Sequence, residues 1–180
     1  MSKKVVIISS TYRKGGNSEL LAKQFEKGAI ESGNEVETIY LRDININFCR
    51  GCFACLNLKH CVLKDDATEL MEKVKNADVI CFATPIYYYA VSGQLKTFLD
   101  RMNPIFSAGH NFKGVYLLTS ANDTDPKAMD GAIKDIQGWI DCFDGVELKG
   151  VVKGNGTNDI GDILKHEDKL EEAYEFGKNA

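Results

Sequence analysis

Apolar side chains follow two periods along this chain. Residues 5–8 (VVII) and 78–84 (DVICFAT) are almost unbroken apolar runs, the pattern of strands buried on both faces at the centre of a parallel sheet. Residues 35–41 (EVETIYL), 113–120 (KGVYLLTS) and 146–152 (VELKGVV) complete a set of five predicted strands. Between them the period becomes helical. Residues 19–32 put Leu20, Leu21, Phe25 and Ala29 on one side and Lys23, Glu26 and Lys27 on the other, with Asn17 or Ser18 as the cap and Gly33-Asn34 as the stop. Further helices are predicted over 67–76, opened by Asp65 and Asp66, over 93–102, over 126–143 despite Gly131 and Gly138, and over 160–178. Pro85 is expected to end the third strand and leave Tyr87, Tyr88 and Tyr89 in a loop.

Strands alternating with helices imply right-handed crossovers and an α/β fold, a three-layer, doubly wound sheet of five parallel strands in the flavodoxin-like order 2-1-3-4-5. No repeat and no Pro-rich or Ser-rich linker divides the 180 residues. A single domain over 1–180 is expected, interrupted by an irregular cysteine-rich insertion at about 43–63. In such sheets a ligand binds beyond the carboxyl ends of the strands, where the order reverses between the first and third. The loops meeting there are 9–18, 84–89 and 119–122.

The first of these loops changes the picture from fold to chemistry. After the strand the chain reads SSTYRKGGNSELL: hydroxyls from Ser9, Ser10 and Thr11, charge from Arg13 and Lys14, turning freedom from Gly15 and Gly16, then a helix start. Strand, polar glycine loop and helix N-terminus together form an anion pocket, whose natural guest is a phosphate. Neither GxGxxG nor GxxxxGK[ST] is present, which excludes the dinucleotide fingerprint and the nucleoside-triphosphate loop. A plain capped turn is the other reading of Gly15-Gly16-Asn17. The second and third loops supply flat rings at Tyr87–Tyr89 and polar groups around Ser120 and Ala121, so a ligand with a phosphate at one end and an aromatic heterocycle at the other, such as FMN, satisfies all three. Ordinary partial burial is the alternative for the tyrosines.

A formal net charge of −4, with no basic stripe, argues against nucleic acid as a partner. The apolar run near the N-terminus is too short for a signal peptide and no stretch reaches membrane-spanning length, so the expectation is a cytoplasmic protein away from the membrane. Six cysteines in a reducing compartment are ligands, reactive thiols or core residues rather than a disulfide framework. Cys81 and Cys142 are assigned to the core. His60, His110 and His166 are isolated and expected at the surface.

The two loop motifs resemble those of the NADPH-dependent FMN reductase family of flavodoxin-like proteins, over nearly the whole chain. SSTYRKGGNSELL is similar to the family's phosphate loop GSPRxxGNT, with Ser10, Thr11, Tyr12 and Ser18 as substitutions, and TPIYYYAVSGQLKTFLDR at 84–101 resembles its second signature. The resemblance implies that Thr11, Arg13, Asn17 and Ser18 hold the FMN phosphate, with Ser10 and Gly16 in the same loop. It implies that Pro85, Ile86, Tyr87 and Tyr88 line the isoalloxazine ring. Thr84, at the head of that loop, and Ser120 and Ala121 of the third loop complete the expected cofactor-binding set. Asp100 and Arg101 are assigned to packing or a subunit contact.

Within that family, CRGCFACLNLKHC has the spacing CxxCxxCxxxxxC, similar to the motif of iron–sulfur flavoproteins that ligate a [4Fe–4S] cluster. Cys49, Cys52, Cys55 and Cys61 are then the candidate ligands, since a cubane needs four thiolates and two-residue gaps let one loop wrap successive irons. Four thiolates suit tetrahedral zinc as well, and related reductases resemble this loop, often with fewer cysteines, and need not carry a cluster. The implied function is an FMN-dependent oxidoreductase that takes electrons from NAD(P)H or a protein donor and passes them to a small-molecule or protein acceptor. A homodimer or homotetramer is the implied assembly. A non-enzymatic flavodoxin-like carrier and a metal-stabilised binding module are the alternatives.

Overall fold

A computed structural model describes residues 2–180. The elements follow one another as β1 (Lys4–Ser9), α1 (Asn17–Glu31), β2 (Glu35–Tyr40), α2 (Ala54–Leu58), α3 (Ala67–Lys75), β3 (Val79–Tyr87), β4 (Ala90–Val91), α4 (Gly93–Arg101), α5 (Ile105–Ala108), β5 (Gly114–Ser120), α6 (Asp130–Ile140), β6 (Glu147–Gly154) and α7 (Glu167–Lys178). The long strands are parallel in the order β2-β1-β3-β5-β6, with the two-residue β4 paired antiparallel to the end of β3. Setting β4 aside, this is the expected 2-1-3-4-5 order.

The unbroken apolar strands are buried on both faces, as their composition requires. Val5 and Ile7 pack with Leu21, Ala22 and Phe25 of α1 and Ala173 of α7. Val6 and Ile8, pointing the other way, join Leu70 and Val74 of α3, Leu95 and Phe98 of α4, and Ile136 of α6. Two glycines set the closeness of α1 and α7. A Cβ on Gly28 would lie 2.2 Å from the Tyr174 carbonyl oxygen, and one on Gly177 would lie 1.9 Å from that of Phe25.

Three element boundaries differ from expectation. The helix expected over 160–178 breaks into a 3-10 turn at Asp162–Lys165 and α7, because the loop before it is tied down elsewhere. The segment expected to be helical over 126–143 is a 3-10 turn, Pro126–Met129, followed by α6, which ends at Ile140. Cys142 lies past that end and is exposed, so its assignment to the core is corrected, while Cys81 is fully buried. His60 is exposed as expected, but His110 and His166 are half-buried, the His110 ring 4.5 Å from that of Phe112.

Pro85 does not end β3. Strand β1 stops at the Ser9–Ala83 pair, while Thr84 and Pro85 continue to pair with Thr119 and Ser120 of β5. Pro85 thus stands on a one-sided stretch of sheet, where a missing N–H is tolerated. The chain then reverses through Tyr88 and Tyr89, with φ of 49° and 63°, the left-handed pair that a two-residue type I′ hairpin demands. The usual residues there are Asn-Gly; two tyrosines make the turn strained. It is held from outside: a Cβ on Gly131 of α6 would lie 2.0 Å from the Tyr89 carbonyl oxygen, Asp135 accepts from the Val91 amide at 3.2 Å, and the Tyr89 hydroxyl reaches Asp123 at 3.3 Å. Replacing the pair by Tyr88→Asn with Tyr89→Gly is expected to raise stability by about 1–2 kcal/mol in urea unfolding; a loss of stability would show that the tyrosine rings, not the backbone, hold the turn.

Candidate functional site

The site forms above β1 and β3. Helix α1 begins at Asn17, with Gly16 in extended conformation as its N-cap and no side chain capping it; the expectation that Asn17 or Ser18 caps the helix is corrected. Its first-turn N–H groups therefore have no side-chain acceptor. Ser18, in that turn, has a buried hydroxyl without a partner, as has Ser9 at the end of β1. Gly16 fits because a Cβ there would lie 2.9 Å from the Arg13 carbonyl oxygen and 3.1 Å from Thr11 Oγ1. The only acidic side chain of the first turn, Glu19, is neutralised. Burial would raise its pKa, but hydrogen bonds and charge from Arg42 (2.6 Å) and Lys23 (3.3 Å) bring it below the ordinary value. The donor set fits an anion of phosphate size.

A cleft of about 230 Å³ opens from this helix end. Thr11, Arg13, Gly16 and Asn17 line one part and Pro85, Ile86 and Tyr87 another, with Ser120 and Ala121 across from them. A neighbouring hollow of about 390 Å³ shares Ile86 and Ala121 and is walled by Tyr88 and Tyr89; Tyr88 is 99% exposed. The remaining expected residues lie beneath. Ser10 and Thr84 act as internal braces: Ser92 donates to Ser10 at 2.9 Å, Ser10 to the Ala83 carbonyl at 3.3 Å, and the Ser92 amide to Thr84 at 3.2 Å. Asn17 lines the cleft but uses its amide on the chain itself, donating to the Asp159 carbonyl at 2.9 Å and accepting from the Ile163 amide at 3.1 Å. Arg13 donates to the Asn158 carbonyl at 2.7 Å. The same segment adds Thr157, Asn158 and Ile160 to the cleft wall, and Asn122 joins them. Asn122 belongs to the third expected loop; sequence reasoning missed the other three. The only signal for the segment was its Asn/Gly-rich text, GNGTND.

A second cavity, of about 550 Å³, holds the cysteine loop. Cys49, Cys52, Cys55 and Cys61 all line it, with Cys142, Trp139 and Phe143 opposite. Gly51, Phe53 and Lys59 take positive φ, which curls the loop around short α2. Cys49 and Cys52 are exposed, Cys61 is half-buried and Cys55 is buried. Among the described residues, no group of three potential ligands is gathered closely enough to hold a metal ion. The donor set, four thiols on one cavity, has the chemistry of an iron–sulfur or zinc site.

The loop is clamped from below by a charge that sequence reasoning assigned only to packing or a subunit contact. Arg101, at the end of α4, forms a two-pronged ion pair with Asp65 at 2.6 and 2.8 Å, both side chains having 0% exposure. The same guanidinium donates to the Asn47 carbonyl at 2.7 Å and approaches Cys61 Sγ at 3.4 Å. Asp65 also accepts from the Asn47 amide at 2.9 Å. One ion pair thus joins the two ends of the cysteine segment to α4. Asp100, its neighbour, is half outside the protein and pairs with Lys96.

The chain matches the model of the NADPH-dependent FMN reductase family over residues 3–141, and it belongs to that family. An iron-sulfur flavoprotein of Archaeoglobus fulgidus is 33% identical over 180 residues, covering 96% of this chain and 80% of the relative. The fold is that of the NAD(P)H:quinone oxidoreductase from Methanothermobacter marburgensis, with a TM-score of 0.77 at 21% identity, covering 99% of this chain and 96% of that one. An azoreductase from Bacillus anthracis superposes with a TM-score of 0.77 at 18% identity over the full length of both chains. The chain is therefore a flavin-dependent oxidoreductase of the NADPH-dependent FMN reductase family.

The buried ion pair gives a test of its own. Burial pushes the Asp65 carboxyl up, but the hydrogen bonds from Arg101 and Asn47 outweigh it and hold the group far below its ordinary value of 3.8. A carboxylate lowered in the folded state stabilises fully above its unfolded pKa, and that contribution is lost as pH falls toward the folded one. Asp65→Asn leaves Arg101 buried without a counter-charge and is expected to cost about 3–5 kcal/mol at pH 7. Urea unfolding from pH 7 to pH 2 should show the gap between wild type and variant narrowing below about pH 4. A constant gap would mean the pair contributes through shape alone.

Proposed function

We propose that FMN binds with its phosphate at the uncapped start of α1 and its ring system along Ile86, Tyr87 and the Tyr88–Tyr89 turn. The observation that carries this is the combination at one helix end of free first-turn amides, the unpartnered Ser18 hydroxyl and Arg13. Thr11 and Ser18 offer hydroxyl donors to phosphate oxygens, and Arg13 offers a charge-assisted one. Ser120 and Ala121 close the far wall. Asn17 acts by holding the 158–163 segment against the helix end. FMN, when bound, supplies the exchange of electron pairs with a reduced nicotinamide and of single electrons with other carriers; the protein positions the ring and leaves one face open at the exposed tyrosines.

In this reading Cys49, Cys52, Cys55 and Cys61 hold a [4Fe–4S] cluster, and the chain relays electrons between NAD(P)H and a small-molecule or protein acceptor. The common cavity and the similarity to an iron-sulfur flavoprotein support it. Homo-oligomerisation is part of the proposal, supported by the exposed rings of Phe53 and Phe106 at the cysteine cavity and of Phe48, next to Cys49 in the chain. A cytoplasmic location, away from nucleic acid and membrane, accords with six free thiols, with the net negative charge, and with no helix among the described residues being long and apolar enough to cross a membrane.

Two ligands separate the phosphate from the ring. Arg13→Ala is expected to weaken FMN binding roughly ten-fold, the value of one charge-assisted hydrogen bond, while leaving riboflavin, which lacks the phosphate, unaffected; both are read by quenching of flavin fluorescence. Equal losses for the two ligands would place the phosphate elsewhere. Anaerobic mixing of FMN-loaded protein with NADPH should bleach the flavin within the turnover time of an enzyme, about a second or less. Bleaching over many minutes would favour the non-enzymatic carrier.

A further inference from the structure

The two better-buried thiols of the cysteine cavity are not equivalent to the two exposed ones. Arg101 approaches Cys61 Sγ at 3.4 Å through its second guanidinium nitrogen, and the Asn103 side-chain amide donates to Cys55 Sγ at 3.0 Å. Ser107 of α5 adds a hydrogen bond to the Cys55 carbonyl at 3.0 Å. All three donors stand on one rigid stretch, the end of α4 and the start of α5. Asp65 and the Asn47 carbonyl hold the two terminal nitrogens of Arg101, while its Nε is buried without a partner. Cys49 and Cys52, by contrast, stand exposed on the outer part of the loop.

We infer that Arg101 and Asn103 are positioning residues that make Cys55 and Cys61 the fixed half of the cysteine site and set the reducibility of the cluster bound there. The inference rests on reading the cavity as an iron–sulfur site. The physical ground is electrostatic. Reduction adds negative charge to a cluster and its thiolates, and an N–H aimed at a coordinating sulfur favours the more negative state; hydrogen bonds to sulfur are one of the protein's levers on cluster potential. With donors on one side only, Cys55 and Cys61 form a hydrogen-bonded inner edge, and Cys49 and Cys52 an outer edge open to solvent or a partner.

Asn103 is the cleaner probe because it is exposed, so its replacement leaves the buried ion pair intact. Anaerobically reconstituted wild type, Asn103→Ala and Arg101→Lys are compared by redox titration followed by electron paramagnetic resonance, with the flavin potential as internal reference. Both variants are expected to shift the cluster to a lower potential while the flavin couple stays in place. Loss of iron from Asn103→Ala with FMN retained would support the same assignment, since the donor would then be what keeps the Cys55 ligand in position. Unchanged cluster potential and iron content in both variants would overturn it. A second readout needs no iron. In the apoprotein, Asn103→Ala should speed amide hydrogen exchange at Lys59, whose N–H bonds to the Cys55 carbonyl at 2.8 Å, by about five-fold, with β3 amides unchanged. Wild type that takes up no iron would defeat the cluster reading alone, and unchanged exchange at Lys59 would still overturn the positioning role.

Discussion

The site depends on one topological constraint: β1 and β3 are neighbours in the sheet, but their following helices leave on opposite faces. Helix α1 packs with α7 on one side, and α4 packs with α3 and α6 on the other. No connection can cover the gap above Ser9 and Ala83, so the loops after both strands turn outward and the start of α1 faces a cleft. A helix start carries roughly half a positive charge in its unpaired N–H groups. Here no side chain of the helix cap consumes them, and Arg42 and Lys23 neutralise the nearby Glu19. The remaining features of the cleft answer that unfilled demand. Gly16 lets the loop close against Thr11 and Arg13, and Asn17 fastens the 158–163 segment as an outer wall.

The same α4 that follows β3 links this cleft to the cysteine cavity. Its start is tied to the loop after β1 through the Ser92–Ser10 hydrogen bond, and its end carries Arg101, whose pairing with Asp65 gathers both ends of the cysteine segment. A buried ion pair of this kind is weak evidence of stability gained, because two charges had to be desolvated. Its value is geometric, since a guanidinium held on several sides can point a donor at a sulfur. The strained Tyr88–Tyr89 turn is a second case of structure held against local preference, braced by Gly131 and Asp135 of α6. It sets two rings beside the cleft that an Asn-Gly turn would not provide.

Much of this was legible in the sequence where a local pattern had one physical meaning. The apolar runs at 5–8 and 78–84 specify strands buried on both faces, and SSTYRKGGNSELL specifies a strand, a polar turn and a helix start. What was not legible depended on contacts made from far along the chain. Pro85 continues β3 only because β1 has already ended beside it. Tyr88 and Tyr89 adopt positive φ only because α6 offers a glycine to receive the turn. Asn17 reads as a cap, yet its amide is taken by Asp159 and Ile163, well over a hundred residues away. Arg101 lies in a family motif, but nothing local marks its burial; Asp65 and Cys61 supply its partners. Cys142 fell outside the core because α6 ends two residues before it.

The central claim is that one chain carries both a phosphate-anchored flavin and, on the four-thiol cavity, an iron–sulfur cluster. It is tested most directly by the absorbance spectrum of protein purified without oxygen, together with iron and acid-labile sulfide assays. The account predicts flavin bands on a broad charge-transfer shoulder, with about four irons and four sulfides per chain. Flavin bands with neither iron nor sulfide, in protein kept anaerobic throughout, would contradict it and leave a plain NAD(P)H-linked flavin reductase.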